Sequence, residues 1–274
     1  MLLYGIRPYK YLIHGMKMII ILLAILSSAG CKQPNSQALS TEAKSNADQH
    51  STTDYKTIQE IPTPSGYARG STNTGSFEYW LRTLPLKEDK TVYLYNGMVK
   101  PNQSAQFSVI DIDRSKTDLQ QCADVVMRLR AEYLFSQQLY DSIRFMDYNN
   151  KWYNWKEGNN RPAFDMYLQE VFGWCGSASL EKQLRPVNNF ESIKPGDVLI
   201  KGGFPGHAVI VADMAINNSG EKIFMLVQGY QPAQDVHLLI NPTEESLSPW
   251  YSIPNINEII TPEWTFTKQQ LRRW

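Results

Sequence analysis

The spacing of apolar positions changes along the chain, and each change predicts a different kind of element. Phe77, Trp80 and Leu81 fall on one side of a short helix over 76–84, which Pro85 stops. Residues 91–95 have the β-branched and aromatic character of a strand and run into a tight turn at Asn96-Gly97; residues 107–111 form a second such run, so a hairpin is expected. Asp118 and Gln121 have capping-box spacing, and the stretch from there to about Tyr140 predicts the longest helix. Shorter helices are expected over 163–174 and 177–184, broken at Gly173 and Gly176. Beyond them the period shortens. Residues 197–200, 208–212, 223–227 and 236–240 are apolar runs parted by Gly, Asn and Pro, the pattern of strands. Helices first and strands after imply an α+β domain with a mainly antiparallel sheet.

The first residues follow another rule. Lys17 precedes an unbroken apolar run over 18–26 and then Ser27-Ser28-Ala29-Gly30-Cys31, which is a charged n-region, an apolar h-region and a small-residue cleavage site in order. The run is shorter than the roughly 20 residues a membrane-crossing helix needs. A signal peptide over 1–30 is expected, with Met16 as an equally good start. Small residues running into a cysteine resemble the lipobox of bacterial lipoproteins, which implies a diacylglycerol on Cys31; Ser28 stands where that pattern prefers leucine. An ordinary secretory signal with an incidental cysteine is the alternative. Two or more acyl chains anchor stably where one does not. The expected location is therefore the bacterial cell envelope, lipid-anchored to a membrane and facing the periplasm or the surface. Residues 31–60 carry almost no large apolar side chain after Cys31 and read as a flexible tether. Residues 61–274 suffice for a single globular domain. With 27 basic and 27 acidic residues and no basic block, nucleic acid is excluded as a partner.

Candidate chemistry is limited by what survives signal removal: Cys122 and Cys175, and His50, His207 and His237, of which His50 lies in the tether. There is no zinc-spaced Cys/His pair, no nucleophile-elbow serine, and Gly202-Gly203-Phe204-Pro205-Gly206 lacks the ending of a phosphate loop. Asp111-Ile112-Asp113 starts like a calcium loop but lacks its glycine and terminal glutamate, so neither metal nor cofactor is expected. A cysteine–histidine hydrolase remains. Cys122 opens a long helix, where free N–H groups and the helix dipole favour a thiolate. His207 follows the glycines and starts an apolar strand, and Gln228 ends the next strand, where it can hold the imidazole in one tautomer. Gln120 and Gln121 are candidate oxyanion donors. Against this stand three plainer readings. Cys122, Val126, Leu129 and Tyr133 form one helical stripe, so the cysteine can be a core residue; Cys122 and Cys175 can form a disulfide; or Cys175, ahead of Gly176-Ser177, can be the nucleophile. His237 alternates with Val236 and Leu238 and is expected to face solvent or a neighbouring strand. Trp152 and Trp155, in an aromatic segment of a chain with seven tryptophans, are candidates for stacking on sugar rings; core anchoring is the alternative. They suggest a second function, a non-catalytic envelope lipoprotein that binds a glycan or a protein.

The order helix-cysteine, strand-histidine, next-strand polar residue, with Pro195-Gly196-Asp197-Val198-Leu199 before the histidine strand, resembles the papain-like NlpC/P60 and CHAP amidases. That resemblance spans about 120–237 and implies an amide or acyl bond as target, with peptidoglycan peptides as the natural substrate. A broader resemblance rests on Asp118-Leu119-Gln120-Gln121-Cys122-Ala123-Asp124, Gly206-His207-Ala208-Val209-Ile210-Val211 and Ser248-Pro249-Trp250-Tyr251. These look like the bacterial lipoprotein family known as domain of unknown function 4846, which implies no activity. Its pattern has alanine where Cys175 precedes Gly176 here, which favours Cys122 over Cys175.

Overall fold

The computed structural model describes residues 54–253 and 258–274; the expected signal segment, Cys31 and the tether up to residue 53 lie outside the described residues. After β1 (Tyr67–Ala68), Ser76 accepts a hydrogen bond from the Tyr79 N–H at 3.1 Å and opens α1 (Phe77–Arg82). β2 (Gln106–Val109) leads to α2 (Cys122–Ser136), the longest helix among the described residues. β3 (Arg144–Met146) and β4 (Trp152–Asn154) form a small hairpin. Asn160 caps α3 (Arg161–Trp174), and α4 (Ser177–Gln183) follows directly after Cys175-Gly176. The rest is strands: β5 (Arg185–Pro186), β6 (Val198–Lys201), β7 (His207–Asn217), β8 (Lys222–Gln228), β9 (His237–Leu239), β10 (Tyr251–Ser252), β11 (Glu258–Ile260), β12 (Thr265–Thr267) and β13 (Leu271–Arg273).

The fold is α+β. Seven strands run in the order β2-β9-β8-β7-β6-β13-β5, with β1 added to β7 and β10 to β8, and every pairing is antiparallel. The central strands are apolar at nearly every position because both faces of the sheet are covered. Ala208, Ile210 and Ala212 pack into one cluster with α2 residues Val126 and Leu129. Val209 and Val211 pack into the other, with Phe224, Leu226 and Phe266. By the same alternation His207 lies on the second face, its ring 5.8 Å from that of Phe266. Asp213, at a bulge in β7, is fully buried between Arg69 (2.6 Å) and Arg82 (2.7 Å), which ties the N-terminal part of the domain to the sheet.

Three expectations are corrected. The hairpin between 91–95 and 107–111 does not form: the turn at Asn96-Gly97 returns the chain locally, with the Leu94 N–H donating to Met98 O at 2.7 Å. β2 instead pairs with β9, because β9 offers the sheet edge that β2 needs. The domain also starts before Ile61: Ile58 is fully buried and its N–H donates to Leu84 O at 3.2 Å. Finally, α2 starts at Cys122 and not at the expected cap. Asp118 accepts instead from the Ala233 N–H at 2.6 Å, while Asp124 accepts from the Gln121 N–H at 2.9 Å and supplies the capping interaction.

Candidate active site

Cys122 is the first residue of α2, and the helix start stands over the ends of β7 and β8. The approach is close. A Cβ on Gly229, just past β8, would meet Val125 Cγ2 at 2.5 Å and Gln121 O at 3.2 Å, so only glycine lets the strand end pass the first turn of the helix. The backbone N–H of Ala208, the residue after His207, faces the Cys122 sulfur with those of Ala123 and Cys122 itself, and all three favour its thiolate. Two segments more than 80 positions apart, 122 and 208, thus meet at one sulfur.

His207 is buried, and its Nε2 lies 3.0 Å from Gln228 Oε1. The neighbours of Gln228 decide where the protons sit. Its Nε2 donates to Glu263 Oε2 at 2.8 Å, and a carboxylate only accepts. The same Nε2 faces His237 Nε2 at 3.1 Å, while His237 Nδ1 faces the carbonyl of Asp235 at 2.9 Å and must carry that ring's proton. His237 Nε2 is therefore an acceptor, the Gln228 amide cannot be turned over, and its oxygen faces His207. It follows that His207 carries its proton on Nε2 and keeps a lone pair on Nδ1. Glu263 is itself fixed by Lys100 at 2.7 Å. His237 does face a neighbouring strand: it is fully buried and opposite Gln228 in register.

Electrostatics correct the expected thiolate. Burial, with the Asp124 carboxyl nearby, pushes the Cys122 thiol up to about 11 in spite of the three N–H groups. Burial lowers His207 to about 4 and His237 likewise to about 4. The resting site therefore holds a neutral thiol and a neutral imidazole.

A cleft of about 470 Å³ opens in front of the sulfur, between the start of α2, the Trp174–Ala178 turn and the Gly203–Gly206 loop. Gly206 is required there, since a Cβ would lie 2.3 Å from Ser177 Oγ and 2.6 Å from Gly203 O. Cys122 and Cys175 both line this cleft as free thiols, so the disulfide alternative is not formed. Burial raises the Cys175 thiol to about 12.

The remaining candidates divide. Gln121 lines the cleft, but its Nε2 donates to Asp118 Oδ1 at 3.1 Å. Gln120 is buried, accepts from Arg128 and lines a different cleft, so it is no oxyanion donor for Cys122. Trp155 is also corrected: it is a core ring 5.4 Å from Phe164 and 5.6 Å from Tyr167, with its indole N–H on Gly158 O. Trp152 is exposed on β4 beneath Arg144, away from the residues lining the Cys122 cleft. Glu263, Tyr148, Trp174 and Phe204 were not singled out by the sequence. The last three line the cleft with exposed rings; for Trp174 and Phe204 the signal was an aromatic residue directly after glycine, and Tyr148 carried none.

No curated protein and no solved structure matches the chain. A family model does, in two overlapping segments, residues 58–161 and 147–273, which together take in both the helix start at Cys122 and the strands of His207, Gln228 and His237. On that match the chain belongs to the family described as "Domain of unknown function (4846)".

Proposed function

We propose that the protein is a bacterial cell-envelope lipoprotein, held on a membrane by lipid on Cys31, that hydrolyses an amide or acyl bond with Cys122 as nucleophile. The observation that carries the reading is that the backbone of Ala208, the residue after His207, reaches the cysteine at the helix start, while His207 has its Nε2–H committed to Gln228 and its Nδ1 lone pair unengaged. The order of helix-cysteine, strand-histidine and next-strand glutamine is that of the papain-like amidases the sequence resembles.

With thiol and imidazole both neutral at rest, Nδ1 takes the S–H proton as the sulfur bonds to the carbonyl carbon, so no preformed ion pair is needed. The imidazolium, stabilised through Gln228 and Glu263, then gives its proton to the leaving nitrogen or oxygen as the C–N or C–O bond breaks. Water, deprotonated by the same Nδ1, attacks the thioester carbon, releases the acid and returns the proton to the sulfur.

The test is to trap the acyl-enzyme. The full-length protein in detergent, mixed with a 4-nitrophenyl acyl ester and quenched in acid, gains the acyl mass on the peptide containing Cys122. His207→Ala does not. Acylation elsewhere, or equal acylation in both proteins, overturns the reading.

A further inference from the structure

Exposed aromatic side chains are unevenly distributed. Of the large hydrophobic side chains left exposed among the described residues, four are aromatic: Tyr148, Trp152, Trp174 and Phe204. Three of these, all but Trp152, line the Cys122 cleft, and Phe204 at its mouth is 95% exposed. A soluble surface does not keep such rings in water around one opening without a ligand that covers them. Their backbone setting fits the same purpose, since Phe204 projects from a loop that Gly203 and Gly206 hold close to Ser177.

The charge of the lining is equally one-sided. It includes the carboxyl groups of Asp118 and Asp124 and no lysine, arginine or histidine. Lys182 lies over the Tyr148 ring, 4.7 Å from its centroid, and does not line the cleft. Asp118 is already occupied by the Ala233 N–H and the Gln121 amide. Asp124 Oδ1 is buried and has no hydrogen-bond partner.

We infer that the cleft selects acyl substrates whose recognition group is uncharged and apolar-faced, lying across Trp174, Phe204 and Tyr148, and that it rejects substrates carrying a carboxylate near the scissile bond. A carboxylate lying across the rings meets no lysine, arginine or histidine there to offset its lost hydration, and the ionisable side chains it meets are the acids Asp118 and Asp124. The wall treats its own acids in the same way: both thiols and the Asp124 carboxyl are driven toward their neutral forms by burial. A flat, CH-rich group instead releases water from three rings.

The inference rests on the hydrolase reading for turnover but not for binding, and the experiment separates the two. Butyryl, 6-aminohexanoyl and succinyl 4-nitrophenyl esters are compared as substrates of the full-length protein, and the corresponding anilides as ligands by calorimetry. The butyryl ester is expected to exceed the succinyl ester in kcat/KM by about tenfold or more, with the same order in anilide affinity. Trp174→Ala and Phe204→Ala, both on exposed side chains that leave the core intact, are expected to raise KM for the butyryl ester about fivefold with kcat nearly unchanged. Equal or better use of the succinyl compound, or an unmoved KM in both variants, overturns the inference. If the anilides bind in the expected order but no ester is turned over, the hydrolase reading fails and the selectivity stands.

Discussion

His207 and His237 are two buried histidines on strands that flank β8, both joined to the amide of Gln228, and they hold opposite places in the proton order. His237 gives its N–H to a backbone carbonyl and accepts from the amide; His207 gives its N–H to the amide and keeps a free lone pair. The first is satisfied on both ring nitrogens, as a structural histidine is; the second is satisfied on one. A histidine becomes a candidate base through the direction of the hydrogen bonds around it, and burial alone does not distinguish the two rings.

Breaking the comparison at its reactive end has the largest expected effect. Cys122→Ala lowers ester turnover by about 10³-fold or more, whereas Cys175→Ala, across the same cleft but away from the start of α2, stays within about twofold. Equal losses would make Cys175 a partner in the chemistry. Gln228→Ala removes the acceptor of the His207 N–H and leaves both histidines short of a partner. Turnover falls by about 10²-fold, and Gln228→Glu, which still accepts from His207, recovers part of it.

Glu263 is the finer test, because it touches neither the thiol nor His207. Without its carboxylate the Gln228 amide loses one of the two reasons to keep its nitrogen turned away from His207. Glu263→Ala is expected to lower kcat about five- to tenfold, roughly 1–1.4 kcal/mol, with KM unchanged. Nitrogen NMR shifts of His207 should show a mixture of tautomers in the variant and one tautomer in the parent. A single unchanged tautomer would mean that His237 alone orients the amide.

How much of this was readable beforehand follows from which contacts are local. The positions of Cys122, His207 and Gln228 in the fold are local, because a helix start, a glycine-rich approach and a strand end are written in short stretches of sequence. The continuous apolar runs of β7 and β8 likewise predict strands. Glu263 reaches Gln228 across 35 positions from the turn of a C-terminal hairpin, and no local pattern marks it. Residues 91–95 look like a hairpin partner for 107–111, yet pairing is decided by which sheet edge is open, and β9 took that place. Trp155 is drawn inside by Phe164 and Tyr167, while Trp174 and Phe204 stay out. Hydrophobicity says a ring can be buried; only the packing says which one is.

The smallest effect sharpens the contrast in stability. Both histidines are lowered from 6.5 to about 4 by burial, so below pH 6.5 the unfolded chain binds protons that the folded chain does not. Their contribution is complete above pH 6.5 and is lost as pH falls from 6.5 toward 4. Between pH 7.5 and 6.0 the loss is about 1 kcal/mol or less for each ring, readable as a lower urea midpoint. Asp124 acts in the other direction, since its raised carboxyl favours the folded state as protons are added, so the slope must be compared between variants. His237→Asn, which removes one ring from the titration, should flatten the acid side of the curve relative to the parent. An unchanged slope would mean that His237 binds its proton alike in the folded and unfolded chain, and a steeper acid side would mean that it is already protonated in the fold. Its Nε2 would then be a donor, Gln228 would have to turn its oxygen toward it, and His207 would meet an amide nitrogen with its proton displaced to Nδ1, the position from which it cannot take one from Cys122.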